Sequence, residues 1–311
     1  MSRTAGVAIG LVADRYLGEP PTRWHPTAWF GTLMGQIESR LYADRRRNGV
    51  AYCALGVALG AGSGLLIRRL SGATAATAIA TGLTVAGRML DDEAARIGER
   101  LHAGDLNGAQ AALRSLVGRS REGLDEAAVS RAVIESVAEN TVDAVTAAAF
   151  WGLLGGAPAA LAYRAINTMD AMVGHHNSRY ENFGWASARL DDLVNALPAR
   201  ISALWVLGSR LAQGPRRTEL LTLVHQQAAA HPSPNGGLIE AAYAHRLGIT
   251  LGGTNQYGES EEHRGLIGHG PAAAPEDIAR SIAVRRLITR QMAVALLVFA
   301  LAHQCRGRRR R

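Results

Sequence analysis

Residues 48–67 read NGVAYCALGVALGAGSGLLI, twenty positions without a charge. A helix of that length crosses about 30 Å of hydrocarbon. Gly56, Gly60 and Gly64 recur every fourth residue and give the helix one small-residue face, on which a neighbouring backbone can approach closely. Water-soluble helices seldom carry so many glycines, since each costs ~1 kcal/mol relative to alanine. The stretch therefore predicts a lipid-embedded helix.

Working outward, residues 70–87 form a second uncharged run, joined to the first through Arg68 and Arg69, and the two predict a helical hairpin. Further apolar runs lie at about 4–13, 193–212 (with Pro198 and Arg200 inside) and 287–304. Residues 144–163 are also uncharged, but Gly155, Gly156 and Pro158 interrupt them. Each half is then too short to span, so a broken or re-entrant helix is expected. Counting every run as a full crossing would separate polar motifs that flank 144–163, so at least one run is not a simple crossing. Between the runs lie polar regions 88–143 and 213–286. The first reads as amphipathic helices with Asp105 and Asp125 as N-caps, and no alternating strand pattern is visible. The expectation is an all-α, polytopic integral membrane protein with helical polar regions, organised as a single domain over 1–311.

Composition agrees. Of 311 residues, 48% are hydrophobic and only 19% charged. All 34 basic residues are arginine, which excludes a Gly-Lys-Ser/Thr phosphate loop and a Schiff-base or kinase-type lysine. The formal charge of +8 does not mark a nucleic-acid binder. Arginines gather at the edges of apolar runs (45–47, 68–69 and the tail RGRRRR), as they do on the cytoplasmic flank of membrane helices. Cys53 and Cys305 lack metal-ligand spacing. No small-residue cleavage site follows the opening run, which is read as part of the mature protein.

Chemistry concentrates in a few stretches. In ESVAENTVD, Glu135, Glu139 and Asp143 are spaced i, i+4, i+8 and stack on one face of a regular helix. Like charges at that spacing need a partner. Two readings fit: a solvated face on which Arg131 pairs Glu135, or a divalent-cation site, with magnesium the natural ion for sparse carboxylates that also hold phosphates. Residues 167–200 carry Asn167, Asp170, Asn177, Arg179, Tyr180, Asp191, Asp192 and Asn195. Adjacent His175 and His176 point apart on a helix and are not read as metal ligands. HPSPNGG (231–237) presents His231, Ser233 and Asn235 in a turn, and GGTNQYG (252–258) does the same for Asn255 and Tyr257. DRYLGEPPTRWHP (14–26) presents Asp14, Glu19 and His25 in a proline-stiffened loop. Arg164, Arg179, Arg189 and Arg200 lie near these loops and suit bidentate phosphate recognition.

These motifs, with ALAYRAINTMDAMVG (160–174) and RYENFGWASARLDDLVNALPAR (179–200), run in one order through nearly the whole chain. In that order they resemble the CobD/CbiB family of adenosylcobinamide-phosphate synthases. Glu19 and the pair His175–His176 depart from the family's usual residues. The resemblance implies a multi-pass enzyme of the cytoplasmic (inner) membrane. Its implied reaction is ATP-dependent amide formation, joining (R)-1-amino-2-propanol phosphate, or aminopropanol, to a propionate carboxylate of adenosylcobyric acid. ATP and Mg2+ are the implied cofactors, the lipid bilayer and other late cobalamin-pathway enzymes the implied partners, and no nucleic acid is expected. Within that reaction Glu139, Asp143, Asp191 and His231 are the expected catalytic residues, and Glu135, Glu139, Asp143 and Asp170 the expected metal ligands. Asp14, His25, Asn140, Arg164, Asn167, Asn177, Arg179, Tyr180, Asn195, Arg200, Ser233, Asn235, Asn255 and Tyr257 are expected to bind substrates. The alternative is a membrane signalling protein resembling AmpE, which would share the apolar skeleton without needing every polar loop. A transporter would explain the broken run but not the long polar regions.

Overall fold

A computed structural model describes residues 2–117, 123–175, 177–213, 217–257 and 260–308. The helices are α1 (Ser2–Leu17), α2 (Pro26–Leu41), α3 (Arg46–Thr84), α4 (Gly87–His102), α5 (Leu106–Ala112) and α6 (Glu126–Thr141). They continue with α7 (Ala147–Gly155), α8 (Ala157–Val173), α9 (Trp185–Gln213), α10 (Arg217–Ala228), α11 (Pro234–Leu247) and α12 (Pro275–Arg308). One antiparallel hairpin, β1 (Thr250–Tyr257) and β2 (Ser260–Gly268), precedes α12. The chain divides into two compact units: residues 1–88, 143–195 and 289–311 form the first, 89–142 and 196–288 the second. The division follows polarity. Most of the apolar runs fall in the first unit, and the polar regions make up nearly all of the second.

In the first unit, α8 packs against both arms of α3. A side-chain carbon added at Gly60 would lie 2.7 Å from the carbonyl oxygen of Leu161, and one at Gly64 would lie 2.5 Å from Pro158. The small-residue face is therefore where two backbones meet. The other arm returns along the same helix: Ala76 and Ala80 cluster with Ala157 and Ala160. In an unbroken helix Gly64 and Ala76 would be about 18 Å apart, yet both pack near Ala157–Ala160. The reversal occurs at Gly72, whose φ of 77° and ψ of 169° suit glycine alone among the residues here. The expected hairpin is thus present.

The break in 144–163 is present as well. Gly156 (φ 70°, ψ −152°) separates α7 from α8, and Pro158 occupies the first turn of α8, where no N–H is required. The nine-residue α7 extends only about 14 Å. Pro198, inside α9, cannot donate to the carbonyl of Val194, and the Trp151 indole supplies that bond at 3.1 Å. Among the described residues, the segment Arg46–His102 alone meets the length and apolarity needed to cross a bilayer.

The second unit is built on charge and caps. Asp105 and Asp125 accept hydrogen bonds from the backbone N–H groups of Gly108 and Ala128, each at 2.8 Å, and so cap α5 and α6 as expected. Leu90, Ala94, Ile97 and Leu101 form the buried stripe of α4. Between them Asp91, fully buried, receives the Nε of Arg285 and of Arg286, both at 2.6 Å.

Two local expectations are corrected. Thr250–Tyr257 and Ser260–Gly268 pair as antiparallel strands, although no strand alternation marks them and 252–258 reads as a turn. The second half of HPSPNGG is the first turn of α11, with Ser233 as N-cap. After Thr141 the chain takes one π-helical turn, Val142–Thr146, which contains Asp143.

Candidate functional site

Two polar clusters stand out, one in each unit. In the second unit, α6 presents Arg131, Glu135 and Glu139 on successive turns. Arg131 and Glu135 grip the hairpin: the N–H of Gly252 donates to Glu135 Oε1 at 3.0 Å, and Arg131 donates to the carbonyls of Gly252 and Thr254. A β-bulge at Gly252–Gly253, both at positive φ, turns the backbone toward these side chains. One turn on, Glu139 meets His231 and Glu240, and ligand atoms of the three lie within 4.8 Å of one another. The glycines of HPSPNGG make this possible, since a Cβ at Gly236 would lie 3.1 Å from Glu139 Oε1 and one at Gly237 would lie 2.7 Å from the Ala228 carbonyl. His231 Nδ1 lies 2.9 Å from the Ser233 carbonyl and 3.1 Å from its N–H. Its Nε2 lies 3.4 Å from Glu240 Oε1, and Arg264 Nη1 lies 3.7 Å from that same oxygen.

Burial, and then the neighbouring Glu240 charge, push the Glu139 carboxyl up to about 8. Burial and the Arg264 guanidinium push the His231 imidazole below its ordinary value. Glu240 and Arg264 did not stand out in the sequence. The signal for Glu240 was a single acid inside the apolar stretch Leu238–Ala242. Asn235 is buried in the first turn of α11, and Asn140 donates back to the Ser136 carbonyl at 3.0 Å.

In the first unit, α8 carries Arg164, Asn167 and Asp170 at intervals of three, and α9 brings Asp191, Asp192 and Asn195. Asn195 donates to Asp191 Oδ2 at 3.0 Å and Asn167 to Oδ1 at 3.5 Å. Tyr163 Oη lies 2.9 Å from Asn195 Oδ1 and 3.1 Å from the main-chain oxygen of Asp143. Arg164 donates to Asn167 Oδ1 at 3.1 Å and to the Thr84 carbonyl. Burial first, then the charge of Asp192, raises Asp170 to about 6. Burial and Asp170 raise Asp191 to about 7. The cluster is a set of crowded hard oxygen donors oriented by carboxamides.

Several of the remaining expected site residues have structural partners. Asp14 is buried at the end of α1. His25 caps α2 through Nδ1, and its Nε2 lies 2.6 Å from Glu19. Asn177 accepts from the N–H groups of Arg179 and Tyr180 at 3.1 and 3.0 Å. Arg179 pairs with Glu38 at 3.1 Å and lies over the Tyr42 ring, and the Tyr180 hydroxyl donates to Glu38 at 2.9 Å. Arg200 is exposed and donates to the carbonyl of Ala196 one turn back at 2.6 Å. The side chains of Asn255 and Tyr257, and His176, lie outside the described residues.

The family described as CobD/Cbib protein matches residues 7–285. The chain belongs to that family. Cobalamin biosynthesis protein CobD of Mycobacterium tuberculosis is 37% identical over 308 residues, covering 98% of this chain and 97% of the relative. The protein of the same name from Chromobacterium violaceum is 41% identical over 305 residues, 94% of each chain. That from Halalkalibacterium halodurans is 39% identical over 290 residues, 89% of this chain and 90% of the relative. No solved structure matches the chain.

Proposed function

We propose that this chain is an adenosylcobinamide-phosphate synthase of cobalamin biosynthesis. It would join aminopropanol phosphate, or aminopropanol, to a propionate carboxylate of adenosylcobyric acid, with ATP consumed. A carboxylate does not react with an amine unaided. Transfer of the γ-phosphoryl group to the carboxylate oxygen would release ADP and give an acyl phosphate. Attack by the amine nitrogen would then form the amide and expel phosphate, with one proton leaving the nitrogen.

The observation that carries the reading is the α8–α9 network, in which a guanidinium, crowded carboxylates and carboxamides come together in a chain without lysine. Asp170 and Asp192 are hard oxygen donors of the kind that hold Mg2+ beside phosphates, and Mg2+ would neutralise charge on the transferring phosphoryl group. Arg164 would bind a phosphate oxygen. Asp191, held by Asn167 and Asn195, is oriented to accept the amine proton.

Membrane embedding is part of the proposal. Only 28% of the apolar window within Arg46–His102 is buried inside the protein, against the mostly buried state of a soluble core helix. Ile9, Val12, Leu65, Leu66 and Leu70 of the same unit are exposed, as lipid-facing side chains would be. The test is an assay of detergent-purified protein with adenosylcobyric acid, ATP, Mg2+ and each amine in turn. Amide product with matching ADP supports the reading. A folded protein that forms none with either amine overturns it.

A further inference from the structure

We propose that Glu139, His231 and Glu240 bind one divalent first-row transition ion, of the zinc or manganese kind, as a site distinct from the magnesium donors of α8 and α9. The three side chains come from α6, the turn before α11, and the second turn of α11, so tertiary packing assembles them. Their ligand atoms lie within 4.8 Å of one another. Metal–ligand bonds of about 2.0–2.2 Å place neighbouring donors about 3–4 Å apart, so small side-chain rotations close the set.

The imidazole is oriented for this purpose. Its Nδ1 lies 2.9 Å from the Ser233 carbonyl and 3.1 Å from the Ser233 nitrogen, so the Ser233 main chain fixes the ring as outer contacts fix a metal-binding histidine. In the tautomer that donates to the carbonyl, Nε2 carries the lone pair. The side chain is 1% exposed, and Nε2 faces Glu240 Oε1 at 3.4 Å without a hydrogen bond. A lone pair aimed at a carboxylate, with a second carboxylate beside it, calls for a cation between them. The opposite tautomer would aim an N–H at Glu240 in a geometry that forms no hydrogen bond.

The nitrogen donor selects the metal class, because magnesium takes oxygen ligands whereas imidazole with carboxylates suits zinc and its neighbours.

The site is read without reference to the amide-forming reaction, and its test does not depend on turnover. Detergent-purified full-length protein is stripped with a chelator, dialysed against Zn2+ or Mn2+ alone, and its bound metal counted by mass spectrometry. One ion per chain is expected, retained in Asp170→Asn and weakened at least about 100-fold in Glu240→Gln and His231→Gln. On the unaltered protein, pulsed electron paramagnetic resonance of bound Mn2+ should show coupling to one imidazole nitrogen, which needs no variant to fold. Failure to bind an ion, binding unchanged in both variants, loss of the ion in Asp170→Asn, or absence of the nitrogen coupling would each overturn the proposal. A protein that binds the ion yet makes no amide contradicts only the synthase reading.

Discussion

The two units hold their helices together with different materials. In the first, backbones meet across glycine and alanine: Gly60 and Gly64 against Leu161 and Pro158, Ala76 and Ala80 against Ala157 and Ala160. In the second, buried charges and backbone caps do the work: Asp91 with Arg285 and Arg286, Arg131 and Glu135 with the hairpin, Asp105 and Asp125 at helix starts. Lipid gives little hydrophobic reward for helix association, so close van der Waals contact must supply it. Water rewards apolar burial, and a polar unit can then carry paired charges inside. The contrast fits the proposed membrane embedding of the first unit.

The largest effect is expected in the polar unit. Asp91→Ala leaves Arg285, 2% exposed, without its carboxylate and should destabilise that unit by about 3–5 kcal/mol. Denaturant unfolding measures it, and a loss below 1 kcal/mol would remove the buried pair from the account. In the apolar unit, Gly64→Val forces a side chain into Pro158 and should cost about 1–3 kcal/mol. Gly62→Ala, on the same helix with nothing within 4 Å of its added carbon, should be harmless. Equal sensitivity at the two positions would break the claim of backbone contact.

A pH dependence probes the α8–α9 cluster through Asp191. Asp191 is raised to about 7 in the fold, so its neutral form stabilises the protein below the usual carboxylate range. That contribution is lost as pH rises through about 7. The melting temperature should therefore fall between pH 5.5 and 8, and fall less in Asp191→Asn. An identical fall in parent and variant would assign the titration to other groups. The smallest effect is at a cap: Asp125→Ala should cost about 1 kcal/mol, read by unfolding of the polar unit.

Much of this was legible in the sequence because it is local. A glycine–proline break at 156–158, capping aspartates, and the four-residue spacing of Gly56, Gly60 and Gly64 each state their geometry within a few residues. The hairpin was not legible, since its strands are glycine-rich and polar, and tertiary bonds from Arg131 and Glu135 hold it in place of side-chain alternation. The π turn at Val142–Thr146 was not legible, because it changes the helical period without changing the residues that signal a helix. Glu240 escaped because a lone acid among apolar residues acquires meaning only when α6 brings Glu139 to it.

Product formation by Asp191→Asn tests the central claim most directly. With helical content and detergent behaviour unchanged, turnover of adenosylcobyric acid, ATP and the amine should fall at least about 100-fold, the usual contribution of a positioned proton acceptor. Turnover within a few-fold of the parent would show that the chemistry is done elsewhere.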